Sequence, residues 1–287
     1  MGYLHIDNLY KNQEILMFKE CYCLEKIHGT SCHISWKDNK VHFFSGGAKE
    51  ILFVALFDHE FLTKKFQEFG YDEMRIFGEG YGGKLQAQKT TYGDKLKFVA
   101  FDIKIGHSWL NVPDMDKIAK KFNLDVVDWV KCSTDLDVLD RERDKPSVQA
   151  VKNGCGEDKL REGIVIRPLI ELKKNNGARI LCKHKNDKFK ETKTPRYVSD
   201  EDLVVLTKAK EIAEEWVTEM RLNHVLDKLG PDVGIEKTRD VIFAMLEDIE
   251  REAVDEIVMS KEAKRAISTK TGKMFTDKIK NSLYKEE

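Results

Sequence analysis

The early part of the chain alternates. Cys21, Cys23 and Ile27 stand against Tyr22, Glu25 and His28, and two more short alternating runs follow at Ser31–Trp36 and Lys40–Phe44. Lys37-Asp38-Asn39 separates those two runs, and Gly46-Gly47 closes them. A period of two broken by turn residues predicts strand, turn, strand. Residues 58–69 instead place Phe61, Leu62, Phe66 and Phe69 near helical spacing and end in Gly70, so a helix is predicted there. Met74–Gly78 and Lys97–Ile105 predict further strands, and Pro113–Phe122 predicts a helix with proline in its first turn. Ser133–Gly156 is too polar to assign. Glu162–Arg167 and Ala178–Lys185 predict short strands, and Lys190–Pro195 a linker.

After Ser199 the period changes. Ser199 with Asp202 makes a cap-like start, and Leu203, Leu206, Ile212, Ala213, Trp216 and Met220 then run at helical spacing. The pattern predicts one helix reaching Leu229, where Gly230-Pro231 stops it. A second helix is predicted over about residues 237–259, carried by Val241, Met245, Ile249, Ala253 and Ile257, with shorter helices beyond. The expected fold class is therefore α+β: a mixed body over residues 1–195, then an all-helical domain over residues 196–287.

Composition sharpens this division. The 287 residues carry a net charge of -1, so no global attraction to a polyanion is visible. The charge is segregated: residues 1–199 hold 34 basic and 29 acidic side chains, and residues 200–260 hold 7 and 17. Nine Lys/Arg lie between Lys173 and Arg196 against two acids, a density suited to phosphate, although a solvated charge run reads the same way. The six cysteines have no C-x-x-C or paired metal spacing and read as reduced thiols. Nothing resembles a secretory signal or a membrane-spanning run, so a cytoplasmic protein is expected, or a nuclear one in a eukaryote.

Gly78-Glu79-Gly80-Tyr81-Gly82-Gly83 matches a dinucleotide fingerprint, but no apolar helical face follows it. It nearly matches a P-loop as well, yet Leu85 stands where a metal-binding Ser/Thr is required. The chemistry lies elsewhere. Lys26 precedes Gly29 in Glu25-Lys26-Ile27-His28-Gly29-Thr30. A lysine amine is a nucleophile once its charge is disfavoured, and a small residue such as Gly29 lets the backbone approach a ligand. Alone, this spacing carries little weight. Four further elements follow in order: Phe77-Gly78-Glu79-Gly80, Phe101-Asp102-Ile103, Glu162-Gly163-Ile164-Val165 and Lys183-His184-Lys185.

This ordered set resembles the covalent nucleotidyltransferases, which comprise ATP-dependent polynucleotide ligases and mRNA capping enzymes. The forms around Lys26 and Glu79, and the lysine-rich tail after Lys183, resemble more narrowly the nick-sealing type 2 phage and RNA-editing RNA ligases. The resemblance runs from about Leu24 to Glu191, and more weakly through Trp216–Val225. It implies a nucleotidyltransferase domain of mainly antiparallel sheets with flanking helices. It also implies ATP, Mg²⁺ or Mn²⁺ as cofactors and nicked duplex or paired RNA ends as partner, with the chain acting as a monomer. Lys26 would become lysyl-AMP, assisted by His28, with Lys183 and Lys185 at the phosphates. The two lysines alternate with His184, so on a strand they share a face; without the other motifs they would read as a solvated basic edge. By resemblance Glu79 holds the ribose, Phe101 stacks on adenine, Glu162 serves the metal-bound nucleotide, and Glu25 and Gly29 belong to the same nucleotide site. A lone Glu is ordinarily a surface residue and a strand Phe ordinarily core, so these roles rest on the resemblance. Asp102 would point into the body as support. In the helical domain Arg221 and Asp248 are expected as exposed RNA-binding residues.

Two positions depart from the family pattern. Ser31 replaces the usual Asn, and Ser45-Gly46-Gly47 stands where an arginine normally follows a serine, with Lys49 or Arg75 as alternatives. Two long helices in place of five short strands argue against the OB-fold of DNA ligases and capping enzymes. The expected function is an ATP-dependent RNA ligase for RNA repair, joining 3′-hydroxyl and 5′-phosphate ends. A DNA ligase, a capping-type enzyme and a non-catalytic RNA-end-binding protein are the rivals.

Overall fold

The computed structural model describes residues 2–194, 196–198, 205–230 and 233–283. The chain divides into two compact units, Met1–Asn186 and Asp187–Glu287. In the first, β1 (Glu20–Lys26), β2 (Thr30–Lys37) and β3 (Lys40–Phe44) are followed by α1 (Glu50–Val54) and α2 (His59–Phe69). Next come β4 (Met74–Tyr81), α3 (Lys89–Tyr92), β5 (Lys97–Ile105), β6 (Ser108–Trp109) and α4 (Val112–Lys121). The unit closes with β7 (Trp129–Ser133), α5 (Leu136–Arg143), α6 (Val148–Lys152), β8 (Gly163–Pro168) and β9 (Cys182–Lys185). Two antiparallel sheets result, ordered β7-β1-β8-β9 and β3-β2-β4-β5-β6.

The local reasons are those of the sequence. Asp38 and Asn39 take φ of +51° and +57°, the left-handed pair that a tight hairpin between β2 and β3 needs. Asp58 caps α2 by accepting from the Phe61 N–H at 3.0 Å, and Gly70 ends it at φ +69°. Asn111 caps α4 one residue earlier than the proline suggested. The polar stretch left unassigned, Ser133–Gly156, holds α5 and α6; α6 starts where Ser147 accepts from Ala150 N–H at 3.0 Å. The core gathers Ile34, Trp36, Met74, Ile76 and Ile103 of the five-stranded sheet with Leu62 and Phe66 of α2 and Met115 and Ala119 of α4. Trp36 stacks on Phe66 at 5.6 Å between ring centroids. Each large side chain so buried contributes roughly 1.5–3 kcal/mol.

The second unit is helical, but cut differently from the sequence pattern. The single helix expected up to Leu229 is two, α7 (Ala209–Trp216) and α8 (Glu219–Leu229). Val217 and Thr218 are extended, and Thr218 Oγ1 accepts from the Arg221 N–H at 3.3 Å, so a new helix is capped inside the apolar run. Leu206 is not helical: its N–H donates to Glu256 O and its carbonyl accepts from Val258. Ser199, Asp202, Leu203 and Pro231 lie outside the described residues. The next helix, α9 (Thr238–Glu252), ends well before Met259, because Ala253 leaves helical geometry and Asp255 takes φ +65°. The longest is α10 (Lys261–Leu283), where only shorter helices were expected. Trp216, Leu222, Val225, Met245, Ile249, Ile267 and Phe275 form the core of this unit.

The expected linker is held rather than loose where it is described. Lys193 N–H donates to Glu215 O, Thr194 N–H and Oγ1 donate to the Glu215 carboxylate, all at 2.9 Å, and Thr218 Oγ1 donates to Glu191 O at 3.1 Å. Among the described residues no helix is long and apolar enough to cross a membrane.

Candidate functional site

β1 ends at Lys26 in one sheet, and β2 begins at Thr30 in the other. Ile27-His28-Gly29 is therefore the crossing between the two sheets. Three groups hold it: Tyr92 Oη accepts from the His28 N–H at 3.3 Å, Glu79 Oε1 accepts from the Gly29 N–H at 3.1 Å, and Gln86 Nε2 donates to Gly29 O at 3.3 Å. A Cβ on Gly29 would lie 2.2 Å from the Gly80 carbonyl oxygen. The close approach expected of Gly29 toward a ligand is thus an approach to β4.

Across β1, β8 and β9, Lys26 is the register partner of Gly163, and Gly163 that of Lys185. The central glycine has no room for a side chain, since a Cβ would meet His184 O at 2.2 Å. Glu162, just ahead of β8, fills the space between the two lysines. Its Oε2 receives Lys26 Nζ at 2.8 Å and His28 Nδ1 at 3.2 Å, and its Oε1 receives Lys185 Nζ at 3.1 Å. Only 2% of Glu162 is exposed. Burial alone would push its carboxyl up, but Lys26, Lys185 and His28 outweigh that and hold it well below the usual carboxylate range.

Glu79, half-buried on β4, is the second acid of the site. Burial pushes its carboxyl up to about 8, helped by the Glu162 charge and opposed by Lys26, the Gly29 N–H and Lys185. Two carboxyls in one site are thus separated in protonation: Glu162 is ionised and Glu79 is mostly protonated near neutral pH. The pair combines an anion that gathers cations with an acid able to donate as well as accept.

The other expected residues have neighbours of their own. Lys183 shares the β9 face with Lys185 and is buried, its N–H and carbonyl bonded to Asp7 and Leu9. His184 points the other way, to Asp140 at 2.7 Å. Phe101 is a bulged residue: Gly78 pairs with Ala100 and Phe77 with Asp102, leaving it between. Its ring meets Tyr3 edge-on at 4.9 Å. Asp102 does point inward, bonded to Tyr3 Oη and Arg179 at 2.5 Å each and to Arg167 at 3.1 Å.

Some expectations need correction. The Glu25 side chain lies away from the cluster, accepting from Ser147 Oγ at 2.5 Å and from the Val148 and Gln149 N–H groups that open α6. Arg221 and Asp248 are not exposed. They are 1% and 3% exposed and bonded to each other at 2.6 Å, with Arg221 also donating to Trp216 O at 3.1 Å. They hold α8 against α9 because a buried charge must be paired. The basic stretch is partly committed within each unit: Lys174 to Glu14, Arg179 to Asp102 and Glu171, Arg196 to Glu215 and Glu256. Gly46 has φ +56°, and a Cβ there would meet Ser31 O at 2.5 Å, so no arginine fits that position in this conformation. Arg75 lies on β4 beside Glu73 and over Phe77, and Lys49 precedes α1.

Sequence reasoning missed the groups that fix the frame: Tyr3, Arg167, Arg179 and Glu171 around Asp102, and Tyr92, Gln86 and Ser147 around the Lys26 turn. One signal was present. Arg167 ends an otherwise apolar strand, Gly163-Ile164-Val165-Ile166-Arg167, and an arginine in such a run needs a buried acid.

Among solved structures the chain is similar to Naegleria gruberi RNA ligase. The form with PPi aligns with a TM-score of 0.51 at 14% identity, covering 66% of this chain and 57% of that one. An apo point mutant gives 0.51 at 15% identity over 66% and 56%, and a point mutant with ATP and Mn gives 0.50 at 14% over 66% and 56%. At this identity the likeness concerns the fold, and the match spans little more than half the length of those chains. No curated protein matches. A family profile described as RNA ligase matches residues 19–185, more than half of the 287 and inclusive of Lys26, Glu79, Glu162 and Lys185: the chain belongs to the RNA ligase family.

Proposed function

We propose that this chain is an ATP-dependent RNA ligase that joins 3′-hydroxyl and 5′-phosphate ends at nicks in duplex RNA, by way of lysyl-AMP on Lys26. The observation that carries the reading is the convergence of Lys26, His28 and Lys185 on the single buried carboxylate of Glu162. Lys26 stays partly open to solvent, its side chain 24% exposed, so an incoming phosphate can reach it.

In the first step the Lys26 amine, its proton released, attacks the α-phosphorus of ATP. The N–P bond forms, the bond to the bridging oxygen breaks, and pyrophosphate leaves with the electron pair. Lys185 and Lys183 stabilise the charge that accumulates on the phosphates. In the second step a 5′-phosphate oxygen attacks the same phosphorus, and Lys26 regains its proton as the N–P bond breaks. In the third the 3′-hydroxyl oxygen attacks the activated 5′-phosphorus and gives its proton to solvent, the pyrophosphate bond breaks, and AMP leaves with the electron pair. Protonated Glu79 suits a ribose hydroxyl, and Phe101 suits an adenine face.

A divalent cation fits the donor set, since Glu162 offers an ionised oxygen ligand of the kind Mg²⁺ and Mn²⁺ share with substrate phosphates. When bound, the ion supplies charge neutralisation of the triphosphate. The solved neighbours that contain ATP and Mn support this choice. Residues 1–195 carry the adenylation chemistry, and the helical domain over residues 196–287 serves strand joining. The chain works in the cytoplasm as a monomer.

Intact mass after incubation with ATP and Mg²⁺ tests the reading. Wild type gains one AMP, Lys26→Ala gains none, and purified wild type seals a nicked RNA duplex. A gain of GMP from GTP in place of AMP points to a capping-type enzyme. Absence of any adduct and of sealed product refutes the enzyme reading and leaves an RNA-end-binding protein.

A further inference from the structure

The sheet that carries Lys26 holds a second cluster. Cys21 and Cys23 alternate along β1 and share a face, and Cys132 of β7 is the register partner of Cys21. The three Sγ atoms form a triangle with sides of 3.9 Å (Cys21 to Cys23), 3.9 Å (Cys21 to Cys132) and 3.4 Å (Cys23 to Cys132). All three are free thiols; Cys21 and Cys23 are buried, and Cys132 is half-buried. Zinc binds thiolates at about 2.3 Å in tetrahedral sites, which puts neighbouring sulfurs about 3.8 Å apart. The triangle therefore matches one face of a zinc tetrahedron.

We propose that Cys21, Cys23 and Cys132 bind one Zn²⁺ as a three-thiolate site, with water in the fourth position beside half-exposed Cys132. Each thiol gives its proton to solvent as its Zn–S bond forms, and no electron is transferred. Thiolate softness selects zinc over the hard cations that nucleotide chemistry uses. The ion ties edge strand β7 to β1 only three residues before Lys26. Its seat lies among thiols rather than at Glu162, so it is a separate site from the one proposed for nucleotide.

Cobalt is the probe. The full chain, purified under reducing conditions and stripped with a chelator, is titrated with Co²⁺. One equivalent is expected to produce a sulfur-to-cobalt charge-transfer band with the intense visible bands of tetrahedral cobalt, both erased by added Zn²⁺. Cys132→Ser, checked for folding by circular dichroism, is expected to weaken cobalt binding at least tenfold, and Cys23→Ser likewise. Cys155→Ser, outside the cluster, is expected to bind as wild type. The readout needs no ATP and no RNA, so it stands or falls apart from ligase activity. A wild-type titration without the thiolate band overturns the proposal. So does unchanged binding in folded Cys132→Ser, or a wild-type mass two hydrogens lower with no cobalt uptake, which marks a disulfide instead.

Discussion

Replacing Glu79 with Gln tests the electrostatics of the site without changing its shape. Glu79 is half-buried, and its carboxyl is pushed up to about 8 against an ordinary value of 4.5. Between those values the native state holds a proton that the unfolded chain has lost. Stability therefore falls as pH rises, by about 1.4 kcal/mol per pH unit, and the full contribution is present only below the unfolded pKa. From about pH 5.5 to about pH 7.5 the loss attributable to this one group is about 2.5 kcal/mol. Glu79→Gln imitates the protonated acid and keeps an oxygen to accept from the Gly29 N–H. Because native Glu79 is already mostly neutral in this range, the field on Glu162 and Lys26 changes little. Urea unfolding of the full chain at the two pH values, wild type beside variant, isolates the difference. The variant is expected to gain about 2.5 kcal/mol on wild type between the lower and the higher pH. A difference constant within about 0.5 kcal/mol would refute the reasoning, since it would mean Glu79 titrates alike in both states.

Two further substitutions probe the frame. Asp248→Ala removes the nearer of two acids on Arg221, which is 1% exposed and lies 2.6 Å from Asp248 and 3.4 Å from Glu191. The loss of that charged hydrogen bond is expected to cost about 1.5–3 kcal/mol in urea unfolding; a loss below about 0.5 kcal/mol would show the pair to be dispensable. Gly29→Ala drives a methyl to 2.2 Å from the Gly80 carbonyl oxygen. The backbone there cannot yield as a side chain would, so a loss of about 1–3 kcal/mol and of the AMP adduct is expected, and full adduct formation would sink the packing argument.

The alternation of Glu20–Phe44, the capped and glycine-ended helix after Asp58 and the five ordered motifs were legible in the sequence. They depend on short-range preferences: strand period, turn residues that accept positive φ, and side chains that cap their own helix. The break inside Leu206–Leu229 was not legible. There the apolar spacing continues, and only the competition between Thr218 as a cap and the fit of α7 and α8 in one core decides it. Arg221 looked exposed for a related reason: a charge pattern cannot show that Asp248, 27 residues on, meets it inside. The site divides in the same way. Lys26, Glu79, Glu162 and Lys185 could be named as candidates from the order of their motifs. Cross-strand register alone put Gly163 between two lysines so that both reach Glu162, and brought Cys132 against Cys21 and Cys23 from more than a hundred residues away. A chain states its local conformational preferences residue by residue, whereas the distance between remote side chains, and with it burial and charge state, is set only when sheets pair and cores close.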